Sequence, residues 1–117
     1  MPELFVSKEF DFSATATLRI AGEEGILQGH NYELRVTVKG APDESGLVVH
    51  TSDLGEIVQD SVIRELDKKT LNDIVPNPTM ENIAIWIWEH LKHRVKGLHE
   101  VRVWENRKKG NCAIYRG

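Results

Sequence analysis

Phe10, Phe12, Ala14, Ala16 and Leu18 alternate with Asp11, Ser13, Thr15 and Thr17. A period of two puts one set on each side of an extended chain, which is the pattern of a half-buried strand. Tyr32 to Lys39 repeats it, with Leu34, Val36 and Val38 against Glu33, Arg35, Thr37 and Lys39. The turn-rich run Ala21-Gly22-Glu23-Glu24-Gly25 lies between the two, so antiparallel pairing is the simple expectation. Such a pair has an apolar face that something else in the chain must cover.

The middle of the chain supplies two covers. After the loop Gly40 to Gly46 and an expected short extended piece at Leu47-Val48-Val49, Ser52 reads as a helix N-cap with Asp53 and Glu56 behind it. Leu54, Ile57, Val58, Val62 and Leu66 then form a helical stripe. Pro76 and Pro78 forbid continuation. Thr79 is a second N-cap, with Glu81 close behind and Ile83, Ile87, Leu91 and Val95 recurring on one face, widened by Trp86 and Trp88. Gly97 is a plausible stop. Val101 and Val103 mark a third main strand. Asn106 to Asn111 is a basic turn, and Cys112 to Tyr115 a fourth strand.

The order β-β-α-α-β-β predicts an α+β fold in one domain over residues 1–117. It consists of a four-stranded antiparallel sheet with both helices on one face. Its two open edges invite pairing between subunits, so a homo-oligomer that closes sheets into a barrel is expected.

The 117 residues carry 15 Lys+Arg against 18 Asp+Glu, a net charge of −3, which argues against nucleic acid or an anionic membrane as partner. The one cysteine, Cys112, excludes an intrachain disulfide and a cysteine zinc site. The apolar runs are short and Met1-Pro2-Glu3 is no signal-peptide start, so a cytoplasmic location is expected. His90 and His93 have ligand spacing, but Glu89 and Lys92 beside them read as a solvated face.

Phe12-Ser13-Ala14, Gly29-His30-Asn31-Tyr32, Leu66-Asp67, Leu71-Asn72-Asp73, Asn77-Pro78-Thr79-Met80-Glu81-Asn82, Trp104-Glu105 and Ile114-Tyr115-Arg116-Gly117 stand in this order. The ordered set resembles the 6-pyruvoyltetrahydropterin synthase and 6-carboxytetrahydropterin synthase family over essentially the whole chain. The resemblance implies the tunnelling fold, whose subunits assemble as trimers and hexamers around a β-barrel, so a homo-oligomer of that kind, a trimer or hexamer, is expected. It also implies action on the side chain of 7,8-dihydroneopterin triphosphate. In that family three His hold zinc, a Cys base works with an Asp-His pair, and a Glu on a late strand grips the pterin ring.

Several of those positions differ here. Ala16 and Gln28 stand where two of the zinc His belong, and only His30 remains. No cofactor is therefore expected, zinc being left open only by the one retained ligand, since catalytic zinc wants three protein ligands and an open position. A rearranged site using His30 and His50 is the speculative alternative. Glu24 stands at the Cys position, and one branch of the family carries Glu there and cleaves the side chain to 6-hydroxymethyl-dihydropterin. Asp67-Lys68 replaces Asp-His, and metal-free aldolases of the related fold use a Lys with a pterin-anchoring Glu.

Glu105 matches the ring anchor; a carboxylate accepts two parallel N–H donors from a 2-amino-4-oxo pyrimidine. Thr79 and Glu81 match the segment beside the pocket. The resemblance thus implies Glu24, Lys68, Asp67 and His30 as catalytic residues and Glu105, Thr79 and Glu81 as substrate-binding residues, with a small-molecule pterin as partner. For Glu24 and Lys68 the bland alternative is a solvated loop carboxylate and a surface lysine. Arg107, Lys108 and Lys109 either meet a substrate phosphate or form a charged turn. Two functions stay open: a pterin lyase working without the family zinc, and a catalytically inactive pterin- or purine-binding paralogue.

Overall fold

The computed structural model describes residues 2–117, Glu24 by its backbone alone. Strand β1 (Leu4–Ala16) pairs antiparallel with β4 (Gln28–Gly40) along their whole lengths, from Leu4 opposite Gly40 to Ala16 opposite Gln28. A small hairpin, β2 (Arg19–Ile20) and β3 (Glu23–Glu24), joins them. β5 (Leu98–Trp104) lies against β4 and β6 (Cys112–Arg116) against β5, giving the sheet order β1-β4-β5-β6. The four-stranded antiparallel sheet and the element order match the sequence reading. In the single chain the sheet is open, with β1 and β6 as its edges.

The first helical rod runs α1 (Thr51–Val58), a π-helical turn (Gln59–Ile63) and α2 (Arg64–Leu66). Leu54, Val58, Val62 and Leu66 are all buried along it. Strict spacing of four drifts around an ideal helix of 3.6 residues per turn. The wider π turn takes up that drift and keeps the stripe on the sheet. The second helix, α3 (Met80–Leu91), buries Ile83, Ile87, Trp88 and Leu91. Both helical units pack on the face formed by Phe10, Phe12, Leu34, Val36, Val101 and Val103. No helix among the described residues is long and apolar enough to cross a membrane.

Local expectations fail in three places. The rod starts at Thr51, because the His50 carbonyl accepts from Leu54 N at 3.1 Å; Ser52 lies inside it and caps nothing. Leu47 to Val49 forms no strand, since Asp43 Oδ1 accepts from Ser45 N and Leu47 N and turns the chain there. α3 ends at Leu91, though Val95 is still buried beyond it. Thr79 does cap α3, its hydroxyl accepting from Asn82 N at 3.1 Å.

Gly97 turns the chain into β5 at φ 78°, where an added Cβ would lie 2.6 Å from the Lys39 carbonyl oxygen. Left-handed strain and that backbone clash should make Gly97→Ala lose about 2 kcal/mol or more, seen as a lower midpoint in chemical unfolding. A shift within about 0.5 kcal/mol would show that the turn relaxes freely.

The sheet face away from the helices is charged. Trp104, buried, lies under the guanidinium groups of Arg107, Arg35 and Arg102 at 4.2, 5.2 and 5.9 Å from its ring centroid. Arg107 Nη1 also donates to Glu9 Oε1 at 2.8 Å and Glu33 Oε2 at 3.0 Å. The Arg107 and Arg35 hydrogen bonds hold the Glu9 carboxyl below its ordinary range.

Candidate active site

Register brings the site together. Ala14 pairs with His30 and Ala16 with Gln28, so the end of the β1–β4 ladder gathers positions 16, 28 and 30. Glu33 pairs with Trp104, and Glu105, the next residue, leaves the sheet beside them. His30 Nε2 lies 3.5 Å from Glu105 Oε1, with side-chain exposures of 21% and 31%. Tyr32 backs this pair. Its ring stacks on Phe12 at 5.0 Å and meets His30 edge-on at 5.7 Å. Burial first, then the Glu105 charge, pushes the Tyr32 phenol up to about 12.

Three cavities meet at His30. One of about 510 Å³, under the β2–β3 hairpin, is lined by Ala16, Leu18, Ile26, Gln28 and Glu105. Another of about 360 Å³ adds Glu33, Asn106 and Arg107 to Glu105. The third, of about 430 Å³, lies along β1 and holds Ser13, Thr15, Lys68, Lys69 and Thr70. His30 therefore stands between a carboxylate-bearing recess and a lysine-bearing one.

The strip that carries Lys68 is fastened to the β1 edge. Ser13 N donates to Asp67 Oδ1 at 3.0 Å, Lys68 N to the Ser13 carbonyl at 2.6 Å, and Thr15 N to the Lys69 carbonyl at 3.0 Å. Lys68 is left at φ 61°, left-handed and strained for a residue with a Cβ. Farther on, two asparagines act as stand-in strands. Asn72 accepts from Thr17 N at 2.8 Å and donates to the Thr17 carbonyl at 2.7 Å. Asn77 does the same to Arg19 at 2.6 and 3.1 Å. These clamps fix the approach to the hairpin that roofs the Glu105 recess.

The other expected residues fall as follows. Asp67 stays near, but its carboxylate serves the β1 backbone and lines the groove toward the first rod, not the cavity of Lys68. Thr79 and Glu81 line none of the three cavities; Thr79 is engaged as the cap of α3, and Glu81 is exposed in its first turn. Glu23 lines the Glu105 recess, while the side chain of Glu24 lies outside the described residues. His50 is not brought to His30. The carbonyl of its neighbour Thr51 accepts from Lys8 Nζ, and Lys8 lies roughly 20 Å along β1 from Ala14, the partner of His30.

The donor set does not fit the zinc that the resemblance implies. Positions 16 and 28, which register places next to His30, carry a methyl group and an amide. No group of three or more His, Cys, Asp or Glu side chains suited to a metal exists among the described residues. Sequence reading missed Tyr32 as the backing of the site, and Asn72 and Asn77 as clamps. All three lie within the quoted motifs, so the signal was present without its role.

A family model described as 6-pyruvoyl tetrahydropterin synthase matches residues 5–117. A 6-pyruvoyl tetrahydrobiopterin synthase of Dictyostelium discoideum is 38% identical over 96 residues, 76% of this chain and 70% of that one. A dihydroneopterin monophosphate aldolase of Pyrococcus furiosus is 39% identical over 87 residues, 72% of this chain and 75% of that one. The solved structure of Caenorhabditis elegans 6-pyruvoyl tetrahydropterin synthase matches with a TM-score of 0.87 at 25% identity, over 100% of this chain and 97% of that one.

Proposed function

The chain belongs to the 6-pyruvoyl tetrahydropterin synthase family, and from that premise we propose that it is a lyase acting on the side chain of 7,8-dihydroneopterin or a phosphate ester of it. The observation that carries the reading is the position of His30 between the Glu105 recess and the Lys68 cavity. A bicyclic pterin seated with its amino and ring N–H groups on Glu105 directs its C6 side chain past His30 toward Lys68.

The reaction that fits is retro-aldol cleavage to 6-hydroxymethyl-dihydropterin. A base takes the proton of the second side-chain hydroxyl, and the carbon–carbon bond between the first and second side-chain carbons breaks. That hydroxyl oxygen becomes the aldehyde of the departing fragment. The electron pair moves into the ring C=N, and a proton delivered to the first side-chain carbon restores it. The ring is thus the electron sink, and no step requires a metal. Glu105 anchors, Lys68 and Glu24 move the protons, and His30 donates to the side chain. Asp67 contributes by pinning β1 beside Lys68. Thr79 supports the loop that ends in Asn77, its N–H donating to the Asn77 carbonyl at 2.7 Å.

We also propose a homo-oligomer. Both sheet edges are open, and Ile20, Ile26 and Leu27 of the hairpin region are 67%, 81% and 56% exposed, an apolar patch bordering the Glu105 recess. The replaced residues at 16 and 28 favour a second reading, an inactive pterin- or purine-binding protein. Product analysis by mass spectrometry separates the two. With 7,8-dihydroneopterin or its phosphate esters, 6-hydroxymethyl-dihydropterin should form at a rate unchanged by a strong chelator. Turnover abolished by the chelator would sink the metal-free mechanism, and binding with no product would leave the silent paralogue.

A further inference from the structure

We propose that Arg107 is a positioning residue for the ring anchor: its side chain straps the turn between β5 and β6 to β1 and β4, and so holds Glu105 toward His30. The role rests on the reading of Glu105 as the anchor given above. Glu105 follows Trp104, the last residue of β5, which the ladder fixes between Glu33 and Cys112. Beyond Glu105 the backbone of the turn bonds only to the turn itself. Asn106 Oδ1 accepts from Lys108 N at 3.2 Å, the Asn106 carbonyl from Lys109 N at 3.0 Å and the Arg107 carbonyl from Gly110 N at 3.0 Å. Such local bonds give the turn a shape but no direction relative to the sheet.

Arg107 supplies the direction. Among the described residues, it is the only member of 106–111 whose side chain hydrogen-bonds or ion-pairs with another element. Its Nη1 donates to Glu9 on β1 and Glu33 on β4, and its guanidinium lies over the Trp104 ring of β5. One planar group thus touches three strands, which takes the fork and flat face of arginine. Glu9 is fixed in turn, its Oε2 accepting from Arg35 Nε at 2.8 Å. Arg107 and Glu33 share a cavity with Glu105 and His30, but Glu9 lines none of the three cavities that meet at His30. Glu9 therefore acts on a ligand there through Arg107. All three side chains are partly exposed, so loss of the strap should leave fold stability nearly unchanged.

Titration of the full chain with 7,8-dihydroneopterin reads the anchor, and hydrogen exchange of the unliganded protein reads the turn. Arg107→Gln should weaken binding about tenfold and Glu9→Ala about threefold, the range of coupling within one charged network. Arg102→Ala uncovers the same indole without touching the turn, and should leave affinity unchanged. With Glu105→Gln already in place, Arg107→Gln should add less than about twofold, because no anchor is left to position. A purely structural loss would add in full. Arg107→Gln and Glu9→Ala should each speed exchange of the Lys108, Lys109 and Gly110 amides about tenfold. Weaker binding in Arg107→Gln with none in Glu9→Ala would make Arg107 a direct ligand contact and overturn the positioning role. Full additivity with Glu105→Gln, or exchange unchanged in both variants, would overturn it as well. In each of those cases the anchor reading stands. No binding of 7,8-dihydroneopterin to the unmodified protein would overturn the anchor reading, and the role of Arg107 with it.

Discussion

Glu105→Gln should weaken binding of 7,8-dihydroneopterin about 100-fold and leave the fold intact. The carboxylate offers two acceptors to two parallel N–H donors. Glutamine keeps one acceptor and presents an NH₂ to the second donor, so one charge-assisted bond is lost and a donor faces a donor. Loss of such a bond is worth about 1.5–3 kcal/mol, which is the stated factor at its upper end. The fold should not notice, because the side chain is 31% exposed and lies beyond the end of β5. Fluorescence titration of the pterin measures the affinity, and thermal unfolding supplies the control. A change under threefold in a folded variant would remove Glu105 from the site, and with it both ligand-based readings.

How much of this was legible in the sequence depends on the range of the forces involved. The strands were, because alternation from Phe10 to Leu18 is a direct consequence of one face being buried. The stripes of both helices were legible for the same reason. The helix start was not, since a cap depends on which carbonyl reaches the first free N–H. Ser52 has the right chemistry but lies inside the helix, while Thr79 has both chemistry and place. The site was legible only as positions. Motif order supplied Glu105, His30 and Lys68, and the long-range pairing of β5 with β4 and of the Lys68 strip with β1 brought them to the same end of the sheet. Asp67 and Thr79 show the limit of that inference. Each occupies a motif position, yet its oxygen is engaged by a backbone N–H. The Asn72 and Asn77 clamps depend on contacts across more than fifty residues of chain, which no local pattern reports.

Lys68→Gly should separate stability from activity. Lys68 sits at φ 61°, which costs a side-chain-bearing residue about 1–2 kcal/mol. Glycine removes that strain and gives back part of the gain, about 0.5–1 kcal/mol, through its looser unfolded chain. The backbone bond from residue 68 N to the Ser13 carbonyl survives, since it needs no side chain. The variant should therefore be as stable as the parent or up to about 1 kcal/mol more so. If Lys68 moves a proton during cleavage, the same change should lower kcat about 100-fold or more with ring affinity unchanged. Lys68→Arg distinguishes proton transfer from simple charge. It keeps the positive charge but gives up protons only far above neutral pH, so turnover should stay low. Full activity in Lys68→Arg would make Lys68 an electrostatic partner of the substrate. Full activity in Lys68→Gly would pass the proton transfer to Glu24. Ala21 and Asn77 carry the same left-handed backbone without lining that cavity, so it is the turnover of these variants, and not the strain, that assigns chemistry to Lys68.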